Sequence, residues 1–252
     1  MRQMVLALSL AALPMLAGQP VVYSDGPTKL VGYVASPAHL QGTVPGVVII
    51  HQWMGLTAHE RKVADDLAAL GYVALAADIY GAEVHPKNTQ EAGGLAGLYK
   101  GDRALYQRRI ATALEALKAQ KGVDPQRLAV IGYCFGGTGA LEAARAGLPV
   151  KGVVSFHGGL DVPADRAVPP ITAKVLVCHG ADDPYVPAKD VASFQEEMRK
   201  AKADYTLVAY AGAVHAFTQK EAGNDPSKGA AYQEAAARRS WQQMKAFFTE
   251  IF

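Results

Sequence analysis

Leu128-Ala129-Val130-Ile131-Gly132-Tyr133-Cys134-Phe135-Gly136-Gly137 is the stretch on which the fold turns. Its first four residues are an apolar run that reads as a buried strand. The Ala-rich segment from Thr138 to Arg145 reads as a helix. Between them lies the pattern G-x-C-x-G, centred on Cys134. Strand, tight glycine turn and helix are the context in which a G-x-S-x-G sequence presents its central residue as a nucleophile. The physical demand carries over to cysteine. Small residues two before and two after Cys134 let the backbone fold tightly around a strained position. The side chain then stands above the sheet at a helix N-terminus, whose partial positive charge favours a thiolate and an oxyanion. Taken alone, the same residues also describe a buried structural cysteine beside a glycine turn.

Outward from this stretch, strands and helices alternate. Gly46 to His51 is a β-branched run of the kind found in strands covered on both faces. Thr57-Ala58-His59-Glu60 is a capping box opening a helix, with Val63, Leu67 and Leu70 on one face and Gly71 at its end. Tyr72 to Ala77 is the next strand. Gly81 to Lys100 is polar, glycine-rich and without clear period; its length favours a lid or an excursion on the substrate rim. Asp102 caps a helix carrying Leu105, Ile110, Leu114 and Leu117, and Asp124-Pro125 leads into the central strand. Beyond it, Gly152 to Phe156, Val175 to His179 and Tyr205 to Tyr210 read as strands. Lys189 to Ala201 and Ala230 to Phe248 read as helices, the latter with Trp241, Met244 and Phe248 available to pack. At the start, Val21 to Tyr23 and Leu30 to Val34 flank the turn signal Asp25-Gly26-Pro27 and predict an antiparallel hairpin at the sheet edge. The class expected is α/β, with a mostly parallel central sheet, helices on both faces and that antiparallel N-terminal hairpin. Residues 19–252 are read as one domain, since no linker or solenoid repeat divides them.

Half of the 252 residues are hydrophobic, enough for a sizeable core, and the net charge of +2 is scattered without a basic block, so no nucleic-acid partner is expected. Residues 1–18 are set apart. Met1-Arg2-Gln3 carries a positive charge, Met4 to Ala17 is apolar but for Ser9 and Pro14, and the chain then turns polar. This is the pattern of a secretory signal peptide cleaved near Ala17 or Gly18, and it predicts a periplasmic or secreted protein. The run falls short of the roughly 20 residues a spanning helix needs, so no stable membrane insertion of the mature chain is expected. Export makes the two cysteines informative, because a bridge between Cys134 and Cys178 would block the proposed nucleophile.

In a parallel sheet, functional groups collect beyond the C-terminal strand ends. Three loops meet that description. One holds Cys134, one reads Gly180-Ala181-Asp182-Asp183-Pro184, and one reads Ala213-Val214-His215-Ala216. Nucleophile, acid and histidine follow one another in the chain order of α/β hydrolases. A thiol is mostly protonated near neutral pH and gains from a base within hydrogen-bond reach, the place of His215. A carboxylate would fix the imidazole tautomer; Asp183 is favoured for it over Asp182. His51 and His179 end strands, His157 sits in a glycine turn where a structural role fits better, and His39, His59 and His85 read as exposed. No Cys/His cluster at zinc spacing occurs, so neither a metal site nor a cofactor is expected.

The elbow around Cys134, the Asp183 loop and the His215 loop together resemble the dienelactone hydrolase family, over nearly the whole chain from about Val22. The resemblance implies a Cys-His-Asp triad that hydrolyses a small-molecule ester or lactone without a cofactor. It also implies that the backbone N–H groups of Phe135 and Trp53 form the oxyanion hole, in keeping with one donor after the nucleophile and one from an earlier strand loop. The chain departs from the family at Gln52, where well-studied members carry a Glu thought to help activate the thiol. Gln52 can contact the thiol or a substrate carbonyl but carries no charge. The arginines that hold a substrate carboxylate in the family fall near Ala82 and at Gln219 here, so a less anionic substrate is expected. A thioesterase or peptidase on the same triad, and a non-catalytic or redox-responsive binding protein on a hydrolase scaffold, are the alternatives. Oligomeric state is not legible.

Overall fold

The computed structural model describes residues 18–162 and 169–252. All of the proposed leader except its last residue lies outside them. In chain order the elements are β1 (Gln19–Asp25), β2 (Thr28–Ala35), β3 (Val44–Ile50), α1 (Ala58–Ala69), β4 (Val73–Ala77), α2 (Thr89–Gly101), α3 (Arg103–Lys118), β5 (Val123–Tyr133), α4 (Phe135–Arg145), β6 (Gly152–Phe156), β7 (Lys174–Gly180), α5 (Ala188–Lys200), β8 (Tyr205–Tyr210) and α6 (Glu234–Ile251).

The strands form one eight-stranded sheet in the order β1-β2-β4-β3-β5-β6-β7-β8. β1 pairs antiparallel with β2, and β2 antiparallel with β4; every other pairing is parallel. The predicted hairpin is therefore present at the edge, turning at Gly26 with φ 56°. Side chains alternate across the parallel strands with period two. Val47, Ile49 and Ile131 pack with Val63 and Leu67 of α1 and with Met244 and Phe248 of α6. Val48, Ile50 and Val130 face the other way, onto Ile110 and Leu114 of α3, Leu141 of α4 and Phe194 of α5. Each such side chain, removed from water on both sides of the sheet, contributes on the order of 1.5–3 kcal/mol. Because β3 to β8 run parallel, the loops after β3, β5, β7 and β8 emerge at one end of the sheet.

Three expectations are corrected. Gly81 to Lys100 contains a helix: Asn88 caps α2 by accepting from the Glu91 N–H, and Ala92, Ala96 and Tyr99 bury one stripe of it. The glycines between those positions dilute the helical period until it is invisible in sequence. Leu70 is not on the buried face of α1; it is the C-cap and 44 % exposed. β5 begins at Val123, so Asp124-Pro125 lies within the strand, next to an irregularity in its pairing with β3. Both cysteines are free thiols. Among the described residues no helix is long and apolar enough to cross a membrane.

Candidate active site

Cys134 sits between β5 and α4 at φ 55° and ψ −115°, a conformation that costs a non-glycine residue of order 1–3 kcal/mol and persists only where the surroundings impose it. The surroundings here are backbone. A Cβ on Gly132 would overlap the Gly136 carbonyl, and one on Gly136 would overlap the Ile50 carbonyl of the neighbouring strand. The two glycines of G-x-C-x-G are thus a steric requirement. The Cys134 N–H is shared between the Phe156 carbonyl at 3.0 Å and Nδ1 of His157 at 3.2 Å.

The β7 and β8 loops bring an acid and a base to this turn. His215 Nδ1 lies 2.8 Å from Asp183 Oδ2, and the other Asp183 oxygen accepts the Tyr185 N–H at 2.9 Å. The Asp183 carboxylate is fully buried, whereas Asp182 is exposed on the outside of the loop. The His215 backbone is clamped by Gly229 and Ala231, and the Tyr185 ring stands edge-on to the imidazole at 5.3 Å. The Cys134 thiol lines the same cavity wall as this imidazole and interacts with it electrostatically. Burial alone would lower the pKa of His215; the hydrogen bond to Asp183 and the negative charges of Cys134 and Asp183 outweigh it and push it up to about 10. Burial likewise opposes ionisation of Cys134. The interaction with His215, the Lys100 ammonium and the Phe135 N–H overcome it and hold the thiol below its usual range. Cys178 is the opposite case: buried beneath Tyr210, it is pushed up to about 12 and stays a thiol.

On the other side of Cys134 lies the loop after β3. Glu60, buried in the first turn of α1, closes the predicted capping box and also accepts the Gln52 N–H at 3.3 Å. The Trp53 carbonyl accepts the Tyr80 hydroxyl at 2.9 Å. These two ties fix the loop, and the Trp53 N–H makes no hydrogen bond with the described residues. Phe135 is buried, its ring stacked on Tyr106 at 4.6 Å and its carbonyl accepting the Tyr106 hydroxyl.

Together these residues open into a cavity of about 590 Å³ whose wall includes Gln52, Trp53, Cys134, Tyr185, His215 and Gln219. Of the residues expected at the site, Cys134, His215, Gln52, Trp53 and Gln219 line the cavity, Asp183 and Phe135 are buried behind it, and Ala82 and Asp182 lie away from it. Lys100 also lines it, a cation that the sequence concealed because its helix was not visible. His157 has the structural place expected of it, at φ 40° in the core, with its Nε2 bonded to Thr218 Oγ1 at 2.8 Å. His59 departs from expectation, being half-buried with its ring edge-on to Tyr133 at 4.8 Å. Among the described residues no three His, Cys, Asp or Glu side chains converge as a metal site would need.

The model of the dienelactone hydrolase family matches residues 30–252. The chain belongs to the dienelactone hydrolase family. It is accordingly a carboxylic ester hydrolase with the α/β-hydrolase fold. A Bradyrhizobium protein named, by inference, a 2-oxo-3-(5-oxofuran-2-ylidene)propanoate lactonase is 32 % identical over 228 residues, covering 86 % of this chain and 88 % of its own. A Yersinia pestis protein named, also by inference, a carboxymethylenebutenolidase is 29 % identical, with 92 % of this chain and 88 % of its own covered. The crystal structure of a dienelactone hydrolase-like promiscuous phosphotriesterase from metagenomic libraries is 40 % identical and superposes with a TM-score of 0.87, covering 93 % of this chain and 98 % of its own. Within this dienelactone hydrolase frame, Gln52 and Gln219 both face the cavity as uncharged amides, and the Ala82 N–H is spent on the Lys29 carbonyl.

Proposed function

We propose that the protein hydrolyses a neutral or weakly anionic carboxylic ester or lactone through an acyl-enzyme on Cys134. The observation that carries this reading is that Cys134, on a strained elbow, and His215, hydrogen-bonded to the buried Asp183, line one open cavity. Cys134 Sγ attacks the acyl carbon, a C–S bond forms, and the carbonyl electron pair moves onto oxygen. In this reading the N–H groups of Phe135 and Trp53 stabilise that oxyanion, a contribution of about 3–4 kcal/mol per donor in other enzymes. Collapse breaks the ester C–O bond, and the imidazolium of His215 gives its proton to the departing alkoxide. Water then attacks the thioester, His215 takes its proton, and the C–S bond breaks to release the acid and restore the thiolate. Asp183 holds the imidazole with Nδ1–H toward itself throughout. Gln52, uncharged at the cavity wall, hydrogen-bonds the thiol or the substrate carbonyl.

The test is a panel of neutral aryl esters and anionic lactones on wild type and Cys134→Ala. Loss of turnover in the folded variant, with neutral aryl esters ahead of anionic lactones in wild type, is expected. An unchanged rate in Cys134→Ala ends the nucleophile assignment, and anionic lactones turned over equally well or better end the substrate assignment. The likeness to a promiscuous phosphotriesterase favours a second substrate class, aryl phosphate triesters, with Cys134 attacking phosphorus and aryloxide leaving.

The leader pattern at residues 1–18 supports export of a mature chain of one domain.

A further inference from the structure

The ester chemistry above leaves two charged wall groups, Lys100 and Glu221, without a task. Of the residues lining the cavity, only Lys100, Glu221 and His215 can carry charge besides the thiol itself. Lys100 is the next-to-last residue of α2. Its Nζ rests against the cavity wall, 3.5 Å from where a Cβ on Gly159 would lie. Asp161, the acid on that same loop, is taken by Arg103 at 2.5 Å, and Arg103 reaches Glu142 as well. Lys100 forms no ion pair with any described residue. The Lys100 side chain is exposed at the cavity rim, and its ammonium, outside any ion pair among the described residues, stands on the same wall as Cys134.

We propose that Lys100 is a positioning residue that acts through Cys134, its ammonium balancing the charge of the thiolate in the resting enzyme. The inference rests on Cys134 being the nucleophile, as proposed above. The other groups facing the thiol do not duplicate this role. The imidazole of His215 is tied to Asp183, so the charge of that pair sums to zero when the imidazole is protonated. The hydroxyls of Tyr80 and Tyr106 donate to the carbonyls of Trp53 and Phe135, and burial keeps both protonated. Nδ1 of His157 is engaged by the Cys134 N–H, and burial keeps that ring neutral. Gln52 is uncharged, and Glu221 would oppose a thiolate. Lys100 alone among these supplies an unpaired positive charge.

The experiment is the pH dependence of alkylation by iodoacetamide, an uncharged reagent that Lys100 cannot attract, on wild type, Lys100→Gln, Lys100→Arg and Cys134→Ala. Cys178 is buried and does not contribute. In Lys100→Gln the midpoint should rise by about half a pH unit or more, making labelling about threefold slower on the acid side. Lys100→Arg should restore the wild-type midpoint, and molar salt should bring wild type toward Lys100→Gln. A midpoint unmoved in Lys100→Gln, or moved equally in Lys100→Arg, overturns the inference. If that happens while ester turnover is still lost in Cys134→Ala, the proposed function stands and this inference alone fails. A shifted, Arg-rescued midpoint with full ester turnover in Cys134→Ala leaves Lys100 as assigned and removes the proposed function.

Discussion

Nδ1 of His157 accepts a hydrogen bond from the backbone N–H of Cys134 at 3.2 Å. Burial holds the imidazole well below its ordinary pKa and therefore neutral, so its other nitrogen carries the proton and donates to Thr218. A core histidine thus ties the strained turn after β5 to the segment that follows His215, and its ring packs 5.3 Å from that of His215. Replacing His157 with Phe keeps the ring and removes both contacts. The Cys134 N–H retains Phe156, but the half-buried Thr218 hydroxyl loses its partner, a cost of about 0.5–1.5 kcal/mol. Urea unfolding should show that loss, together with a fall in kcat of roughly tenfold from a loosened elbow. Wild-type stability and rate in His157→Phe would remove His157 from this role.

Asp183 and Asp182 are adjacent in sequence and opposite in environment. One carboxylate is fully buried against His215, and the other faces solvent. Asp183→Asn would leave the shape of the loop but offer the imidazole an amide in place of a carboxylate, which in a comparable triad costs about 10⁴-fold in kcat. Asp182→Asn should stay within about twofold of wild type, since surface substitutions of this kind change energies by about 0.5 kcal/mol or less. Steady-state rates on one aryl ester decide it. Equal losses in the two variants would contradict the assignment.

These two residues also mark how far the sequence could be read. The strand–elbow–helix around Cys134 was legible because Gly132 and Gly136 are forced by backbone contacts and leave a local signature. The chain order Cys134, Asp183, His215 was legible because a parallel sheet sends its loops to one end. The capping box was legible at Thr57 and Glu60, but its second task was not. Glu60 reaches back eight residues to the Gln52 N–H, and no local pattern encodes that contact. The place of Lys100 was hidden for a different reason. Its helix breaks the propensity rules, so neither the helix nor the direction of its last turn could be inferred.

That helix is open to a direct test. Gly93, Gly94 and Gly97 lie on the exposed side of α2, and a Cβ at any of them would meet nothing within 4 Å. None is required by packing, and each costs about 1 kcal/mol relative to Ala in a helix interior. The triple change to Ala should therefore slow amide exchange within 89–101 and raise the thermal midpoint. If α2 must open for substrate to enter, kcat/KM should fall as stability rises. Faster exchange in the Ala variant would mean that the glycines serve a contact not seen in this conformation.

The pairing of Cys134 with His215 predicts its own pH signature. His215 is raised to about 10 partly by its interaction with Cys134 and partly by Asp183, against the lowering effect of burial. Cys134→Ala removes the first contribution and keeps the other two, so the imidazole should titrate below its wild-type value. The C–H proton shifts of the imidazole report this directly. In wild type, kcat/KM should rise through the thiol ionisation, which lies below the ordinary cysteine range, and fall as His215 loses its proton near 10. Linkage fixes the sign for stability. A folded-state pKa raised above the ordinary 6.5 contributes stability that is fully present below 6.5 and is lost as the pH climbs through about 10. The unfolding free energy of wild type should thus decline between neutral pH and pH 10 more steeply than that of His215→Gln, which has no such proton to lose. Parallel declines in the two proteins would show that the imidazolium is not held by its neighbours, and the thiolate would then need another source of charge.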